Sequence, residues 1–208
     1  YGLVVQERFG DLVIGTYGRG FWIMDDLSAL QQLDQEVLSS SAHLFEPRDA
    51  YRFNSRTAPA VMTNDQSDGQ GPSNAALINY WIGQEMAGSE VTVRVWDADG
   101  KMIRSLEGTS NSGINRVEWD FRDDGGEPAT LRTKPKYADW YDMGSDRERS
   151  AVGIAALRYP PGTYTVTLEV GDEDYSQTLN VIKDPNSEGS MNDIMAQFAL
   201  AQEIRADQ

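Results

Sequence analysis

The sequence predicts a mainly β protein, in which an antiparallel β-sandwich follows a β-hairpin and precedes the start of a C-terminal helix. Apolar and polar residues alternate with a period of two in most stretches from residue 74 onward, as in half-buried strands. Turn-forming sequences such as DADG (97–100) and GDED (171–174) separate these stretches. No helical pattern lies between the strands, which favours an antiparallel sandwich over an alternating α/β fold.

Residues 11–26 predict a β-hairpin rather than a phosphate-binding loop. The apolar stretches DLVIGT and FWIMDD flank YGRG, in which Gly18 and Gly20 are free to adopt positive φ. A P-loop needs a Lys and a Ser or Thr where a helix begins, and a dinucleotide fingerprint needs a third glycine that opens a helix, whereas FWIM is strand-like. We therefore assign Gly18, Arg19 and Gly20 to a structural hairpin, with Arg19 packed or ion-paired.

Residues 27–73 are predicted to form a linker with one short helix. Leu27, Leu30 and Leu33 recur every three residues after Asp25 or Asp26, either of which is a suitable N-cap. The stretch AHLFEPRDAYRF is expected to be extended and interrupted by a proline. The polar, glycine-rich stretch TNDQSDGQGPSN (63–74) predicts a flexible loop that ends the linker.

The sandwich is predicted to occupy residues 74–185. It contains one hairpin around DADG, a strand in GINRVEWDF and a second hairpin around GDED. An insertion at 129–159 interrupts it, and structureless segments of that length are functional or disordered. Residues 186–208 predict the start of a C-terminal helical segment, with Ser190 or Asn192 as its cap. The face expected to be apolar carries Met191, Ile194, Met195 and Phe198.

Composition excludes several classes of function. The 33 acidic residues against 18 basic ones give a formal charge of −15, which argues against binding to nucleic acid or to anionic membranes. There is no cysteine for a disulfide or a thiolate site, and His43 is the one histidine. No apolar stretch reaches the length of about 18 residues that spans a membrane. The first residues have neither an initiating Met nor a signal-peptide pattern, so we expect an internal segment of a longer protein.

The sequence assigns neither a catalytic residue nor a metal ligand. His43 is expected to be a surface or packing residue. Calcium is the ion that the oxygen-rich turns DADG and GDED would suit, but the EF-hand pattern fails because its glutamate, at about the twelfth position, is replaced here by Gly108. We therefore expect no cofactor. The following carboxylate pairs are expected to be turn or cap residues: Asp25 with Asp26, Asp123 with Asp124, and Glu169 with Asp172.

Aromatic residues are the better binding candidates. Exposed Trp and Tyr rings can stack on sugar faces, and Trp81, Tyr137, Trp140 and Tyr141 are the candidates here. The alternative is that tryptophans of the strands, Trp81 and Trp96 among them, pack inside the protein or against another domain. The insertion around Trp140 could equally clamp the sandwich to a neighbouring domain.

Six stretches together resemble a known family. DLVIGTYGRGFWIMDDLSALQQL, HLFEPRDAYR, VTVRVWDADGKMIRSL, GINRVEWDFR, PPGTYTVTLEV and TLNVIKDP occur in this order. The series resembles the C-terminal part of large bacterial β-propeller proteins of the sortilin-like, BNR-repeat class, often labelled glycosyl hydrolases. Residues 91–170 are also similar to the Ig-like module of flagellar hook-capping and cell-surface sorting proteins. The chain departs from these patterns at Tyr17, where the propeller family usually has histidine, and in its insertion.

The resemblance implies an architecture and a function. Residues 1–26 would be the last hairpin of a propeller whose body lies upstream, and 74–185 an Ig/fibronectin-III-like sandwich. The implied role is a non-catalytic accessory and domain-packing module of a bacterial secreted, periplasmic or cell-surface protein, in contact with its propeller and with polysaccharide. One alternative is part of a glycoside hydrolase whose catalytic residues lie on the propeller. The other is a stand-alone carbohydrate-binding module.

Overall fold

The computed structural model describes residues 2–53, 73–126, 130–131, 137, 140, 147–148 and 156–206. The helices are α1 (Ser28–Gln32), α2 (Gln35–Ser39) and α3 (Met191–Ala206). The strands are β1 (Gly2–Gln6), β2 (Asp11–Gly15), β3 (Phe21–Met24), β4 (Ala42–Leu44), β5 (Ala50–Arg52), β6 (Ala76–Ile82), β7 (Val91–Trp96), β8 (Met102–Glu107), β9 (Gly113–Trp119), β10 (Thr130–Leu131), β11 (Arg147–Glu148), β12 (Gly162–Val170) and β13 (Glu173–Lys183). None of the helices within these segments is long and apolar enough to cross a membrane.

The N-terminal strands form a separate antiparallel sheet in the order β1-β2-β3. Its second turn confirms the predicted hairpin, because β2 pairs with β3 and both glycines of YGRG have positive φ, 78° at Gly18 and 71° at Gly20. The backbone N–H and the hydroxyl of Thr16 both donate to the carbonyl of Gly20, at 3.1 and 2.8 Å. Strand β1, which was not predicted explicitly, extends this hairpin to three strands.

The linker contains two short helices, so the prediction of one helix is wrong. Leu33, between them, has an extended backbone with ψ of 114°. Asp34 follows it as the N-cap of α2, and its carboxylate accepts a hydrogen bond from the N–H of Val37 at 2.9 Å. A side chain that caps a new helix competes with continuation of the old one, which explains the break. The predicted cap Asp26 accepts from the N–H of Ser28 at 3.1 Å, although Leu27 occupies the N-cap position.

Two further sheets bury one hydrophobic cluster between them, an arrangement consistent with a β-sandwich. The larger sheet has the order β5-β13-β12-β7-β8 and the smaller one β4-β6-β9. The predicted alternation is confirmed: β7 buries Val91, Val93 and Val95, and β9 buries Val117 and Trp119. Both predicted hairpins form, β7 with β8 and β12 with β13.

The sandwich begins earlier in the chain than the predicted boundary at residue 74. Strands β4 and β5 lie in the predicted linker, yet β4 pairs with β6 and β5 pairs with β13. The β5–β13 pair is parallel, which the prediction of an antiparallel sandwich did not include. Each strand has only three residues, and the buried Pro47 lies between them, so the periodicity is too short to be recognised. The chain crosses from one sheet to the other in this interval.

Most of the predicted insertion lies outside the described residues, and so does the loop before residue 73. Within the insertion, β10 pairs with β11. Its last residues belong to the sandwich, because Leu157 and Tyr159 are buried in the core. The carboxylate of Asp123 accepts from the N–H of Leu157 at 2.9 Å, so the returning chain is fixed to the end of the strand that precedes the insertion.

Helix α3 is confirmed, but the packed face differs from the predicted one. The Ser190 hydroxyl accepts from the N–H of Asp193 at 3.2 Å, and the Asp193 carboxylate accepts from the N–H of Ser190 at 2.8 Å, which is a reciprocal cap. Phe198 packs against Tyr159, with ring centroids 4.9 Å apart, and Ala201 joins the same core. Met191 and Met195 are exposed, because the helix docks along Ile194, Phe198, Ala201 and Arg205 instead.

Candidate interface site

The N-terminal sheet exposes apolar side chains on both faces. Phe21, Trp22, Ile23 and Met24 are consecutive residues of β3, and their exposed fractions are 81%, 63%, 64% and 47%. Side chains of consecutive strand residues point to opposite faces, so neither face of β3 is covered. β1 shows the same property at residues 3–5. Exposed apolar patches of this kind are typical of interaction surfaces, because monomeric soluble proteins rarely leave large ones uncovered.

A polar junction, consisting of Asp11, Asp26, Arg48, Asn79 and Arg116, fixes this sheet to the sandwich. Asp26 is 3% exposed and has a positive φ of 61°. One oxygen of its carboxylate accepts from the N–H of Ser28, and the other accepts from the side-chain amide of Asn79 at 2.8 Å. The Asp26 N–H donates to the Asp11 carboxylate at 2.9 Å. The chain therefore leaves β3 in one defined direction.

Arginine side chains complete the polar junction. Arg116 donates from Nε to the side-chain oxygen of Asn79 at 2.7 Å and from Nη2 to the carbonyls of Asp25 and Asp26 at 2.9 and 3.3 Å. Arg48 lies 3.5 Å from the Asp11 carboxylate and also donates to the carbonyl of Phe9. Two carboxylates and two guanidinium groups thus balance in charge, with the buried Asn79 of the smaller sheet between Asp26 and Arg116.

An aromatic pocket of about 290 Å³ lies beside the polar junction. The rings of Tyr51 and Phe53 stack at 5.5 Å, and Phe9 meets Tyr51 edge-on at 5.6 Å. The guanidinium of Arg48 lies over the Phe9 ring at 5.6 Å from its centroid. The sequence prediction missed these residues, although the alternation of aromatic residues in AYRF, just after Pro47, was a usable signal.

The structure separates the predicted aromatic candidates into two groups. Trp81 is half-buried and packs against Ala29, Val37 and Phe45, which favours the packing alternative for this residue. Its indole nitrogen is buried and has no hydrogen-bond partner among the residues that the structure describes. Tyr137 and Trp140 are 87% and 83% exposed, as a recognition surface requires. Tyr141 lies outside the described residues.

The other residues that the sequence singled out lie in the core, on the outer face of a sheet or in a turn. Trp119 is fully buried, whereas the half-buried Trp96 lies on the outer face of its sheet and donates to the hydroxyl of Thr167 at 3.0 Å. His43 packs edge-on against Phe45 at 5.0 Å. Gly18, Arg19 and Gly20 are exposed in their turn, and Arg19 makes no ion pair with another described residue, contrary to its predicted packing.

The oxygen-rich turns are built as hairpin turns. The Asp97 carboxylate in DADG accepts from the N–H groups of Asp99 and Lys101 at 3.0 and 2.9 Å. In the part of the chain that the structure describes, no group of three or more histidine, aspartate or glutamate residues could hold a metal ion.

Comparisons with known proteins give one distant structural similarity. No family model and no curated protein matches this chain. A crystal structure of Salmonella alpha-2-macroglobulin reacted with methylamine is similar, with 16% sequence identity and a TM-score of 0.34. The similarity covers 86% of this chain but only 9% of that protein's chain.

Proposed function

We propose that this chain is a non-catalytic domain-packing module of a larger, secreted bacterial β-propeller protein. In this proposal β1–β3 are strands of the last propeller blade, and the rest is an Ig/fibronectin-III-like sandwich that buttresses the propeller. The single observation that carries the proposal is the exposed apolar sheet, with uncovered residues such as Leu3, Phe21 and Trp22. Neighbouring blades pack face to face in a propeller, so they would cover both faces of this sheet at once.

The polar junction supports a fixed orientation between blade and sandwich. A flexible tether would need no buried contacts, whereas here the buried Asp26 and Asn79 hold the end of β3 directly on the smaller sheet. Several hydrogen bonds to charged groups resist reorientation more strongly than one exposed ion pair would. The orientation of the sandwich relative to the propeller would therefore be fixed.

The first test is the form in which the protein exists in its source. An antibody raised against this chain should detect an antigen far heavier than 23.1 kDa. Hydrogen exchange is then compared between the purified longer protein and the 208-residue chain. Residues 2–24 should exchange at least about tenfold more slowly in the longer protein, while β7 serves as the internal control and should not change. An antigen near 23.1 kDa, or equal exchange at residues 2–24, would reject the proposal.

A second candidate function is contact with polysaccharide through the insertion. The observation that favours it is the high exposure of Tyr137 and Trp140. Aromatic rings in that position can stack on the apolar faces of sugars, while the surrounding polar residues bind hydroxyl groups. The test is retention of the chain on a panel of insoluble polysaccharides, with Trp140→Ala as the variant and Trp96→Phe as the control. Equal retention of all three proteins, or no retention of any, would contradict this function.

A further inference from the structure

A cationic cavity lies where the larger sheet meets α3. Its volume is about 580 Å³, within the range of about 300–1,000 Å³ that is typical of small-molecule sites. Four basic side chains line it: Arg52, Arg122, Arg158 and Lys183. Ile194, Phe198 and Ala201 of α3 contribute apolar side chains to the lining. Such a concentration of positive charge is unexpected in a chain with a formal charge of −15.

The arginines of this cationic cavity are positioned by backbone contacts. Arg122 and Arg158 pair with each other as an isolated antiparallel bridge that joins the two ends of the insertion. Arg122 donates from Nη1 to the carbonyl of Ala156 at 3.0 Å, and Arg158 donates from Nη2 to the carbonyl of Phe53 at 2.7 Å. The Arg158 guanidinium also lies over the ring of Phe121 at 5.9 Å. Each guanidinium uses only part of its five-donor capacity in these contacts.

The positive charge of the cationic cavity is poorly neutralised. Among the described residues, the four basic side chains make one ion pair, between Arg122 and Asp120 at 3.8 Å. Burial lowers the pKa of Arg158, and the nearby Arg52 and Arg122 lower it further. The pKa of Arg52 is also lowered, mainly by burial, with Arg122 adding to the effect and Tyr164 opposing it. These like charges repel one another across the cavity.

Two acidic side chains line the cavity, and both accept hydrogen bonds from nearby backbone N–H groups. The Asp184 carboxylate accepts from the N–H of Asn186 at 2.8 Å, and the Asp193 carboxylate belongs to the cap of α3. Lys183 donates to the carbonyls of Asp184 and Ser187, which do not cancel its charge. The lining thus carries four cationic and two anionic side chains, and Asp120, outside the lining, pairs with Arg122.

We propose that the cationic cavity binds an oxyanion group: a sulfate, phosphate or carboxylate. Arg52, Arg122 and Arg158 all line the cavity, so an anion bound there would lie within reach of more than one guanidinium group. Guanidinium groups match oxyanions because their donors form a planar fork that binds two oxygens at once. A bound anion would also relieve the repulsion among the arginines.

The test is calorimetric titration of the 208-residue chain with sodium sulfate, against sodium chloride at matched ionic strength. Saturable binding of one sulfate is expected. Arg52→Gln should weaken it by about tenfold or more, because a charged donor is lost. Arg122→Gln, at a more exposed position, should do the same if Arg52→Gln fails to fold. Arg19→Gln removes the same charge from the exposed hairpin turn and should leave the affinity unchanged.

Further titrations with sodium phosphate and with a galacturonate oligomer identify the source of the group. Preference for sulfate or phosphate assigns a tetrahedral ion, and preference for galacturonate assigns the carboxylates of an acidic saccharide. No saturable binding of any of the three anions would overturn the proposal. Equal loss of affinity in Arg19→Gln and Arg52→Gln would also overturn it, since only the overall charge would then matter.

Discussion

At the residue scale, Asp26 carries the connection between the two parts of the molecule. Both oxygens of its carboxylate accept hydrogen bonds, one from the N–H of Ser28 and the other from the amide of Asn79. Its positive φ is tolerated best by glycine, asparagine and aspartate. The position thus requires both an unusual backbone conformation and two acceptor atoms.

Asp26→Asn should destabilise the protein by about 1–3 kcal/mol, the cost of leaving a buried donor unpaired. An amide has one acceptor oxygen, so either Ser28 or Asn79 loses its partner whichever way the amide is oriented. The backbone conformation is retained, because asparagine also adopts positive φ. Urea unfolding measures the change. Asp25→Asn is the matched control and should cost less than about 0.5 kcal/mol, whereas an equal cost for both variants would contradict this account.

Gly108 shows a second residue-scale constraint, which is steric. A Cβ at this position would lie 2.6 Å from the hydroxyl of Tyr80 and 2.8 Å from a methyl group of Val91. Tyr80 cannot move away freely, since it is fully buried and its hydroxyl donates to the carbonyl of Thr109 at 2.6 Å.

Gly108→Ala should therefore lower the free energy of unfolding by about 1–3 kcal/mol, as overpacking does. The cost should be smaller in a Tyr80→Phe background, where the nearest atom is absent, and a double-mutant cycle measures that coupling. Gly162→Ala is the control, because its nearest neighbour would be 4.0 Å away. Absence of coupling between residues 80 and 108 would refute the steric explanation.

At the element scale, α3 depends on a few contacts with the sandwich. None of its residues is fully buried, and its attachment consists of Phe198 and Ala201 against the core and of the Arg205 ion pair with Asp123. Helices of this length are marginally stable in water without tertiary packing. Docking, rather than intrinsic helix propensity, should decide whether the helix persists.

Phe198→Ala should release α3 from the sandwich. The ring contact with Tyr159 is lost, so amide exchange across residues 191–206 should accelerate by about tenfold or more while that of β12 stays the same. Leu200→Ala removes a comparable apolar side chain that is 56% exposed and should change neither rate. If both substitutions accelerated exchange equally, helix propensity rather than docking would govern α3.

At the scale of the whole molecule, an uncovered apolar sheet and a large negative charge act against each other. The sheet favours association through its faces and through the unpaired edges of β1 and β3 within the described residues. The formal charge of −15 opposes it by repulsion between chains. Salt shortens the range of that repulsion, from about 30 Å at 0.01 M to about 8 Å at 0.15 M.

The isolated chain should therefore self-associate more strongly as salt is added, as sedimentation velocity would show. The double variant Phe21→Ser with Trp22→Ser should suppress this association, because it makes both faces of β3 polar. Leu200→Ser with Ile204→Ser removes exposed apolar side chains from α3 instead and should leave association unchanged. A monomeric chain at every salt concentration would refute the expectation.

Local sequence pattern was sufficient for most of the elements. Alternation identified β7, β9, β12 and β13, because each half-buried strand shows its buried face directly in the order of its residues. The YGRG turn was predictable because positive φ favours glycine. Helix α3 was predictable from its period, although the face that packs was not, since both faces carry apolar residues.

Tertiary structure alone decided the features that join distant parts of the chain. Asp26 forms hydrogen bonds with Asn79 and Arg116, which lie 53 and 90 residues further along the chain. The local sequence around a polar residue does not indicate such a distant partner. The three-residue strands β4 and β5 are too short for a pattern, and only pairing with β6 and β13 makes them strands. The cationic cavity has the same origin: Arg52, Arg122 and Arg158 lie far apart in sequence, and only the packing of the two sheets and α3 brings their charges together.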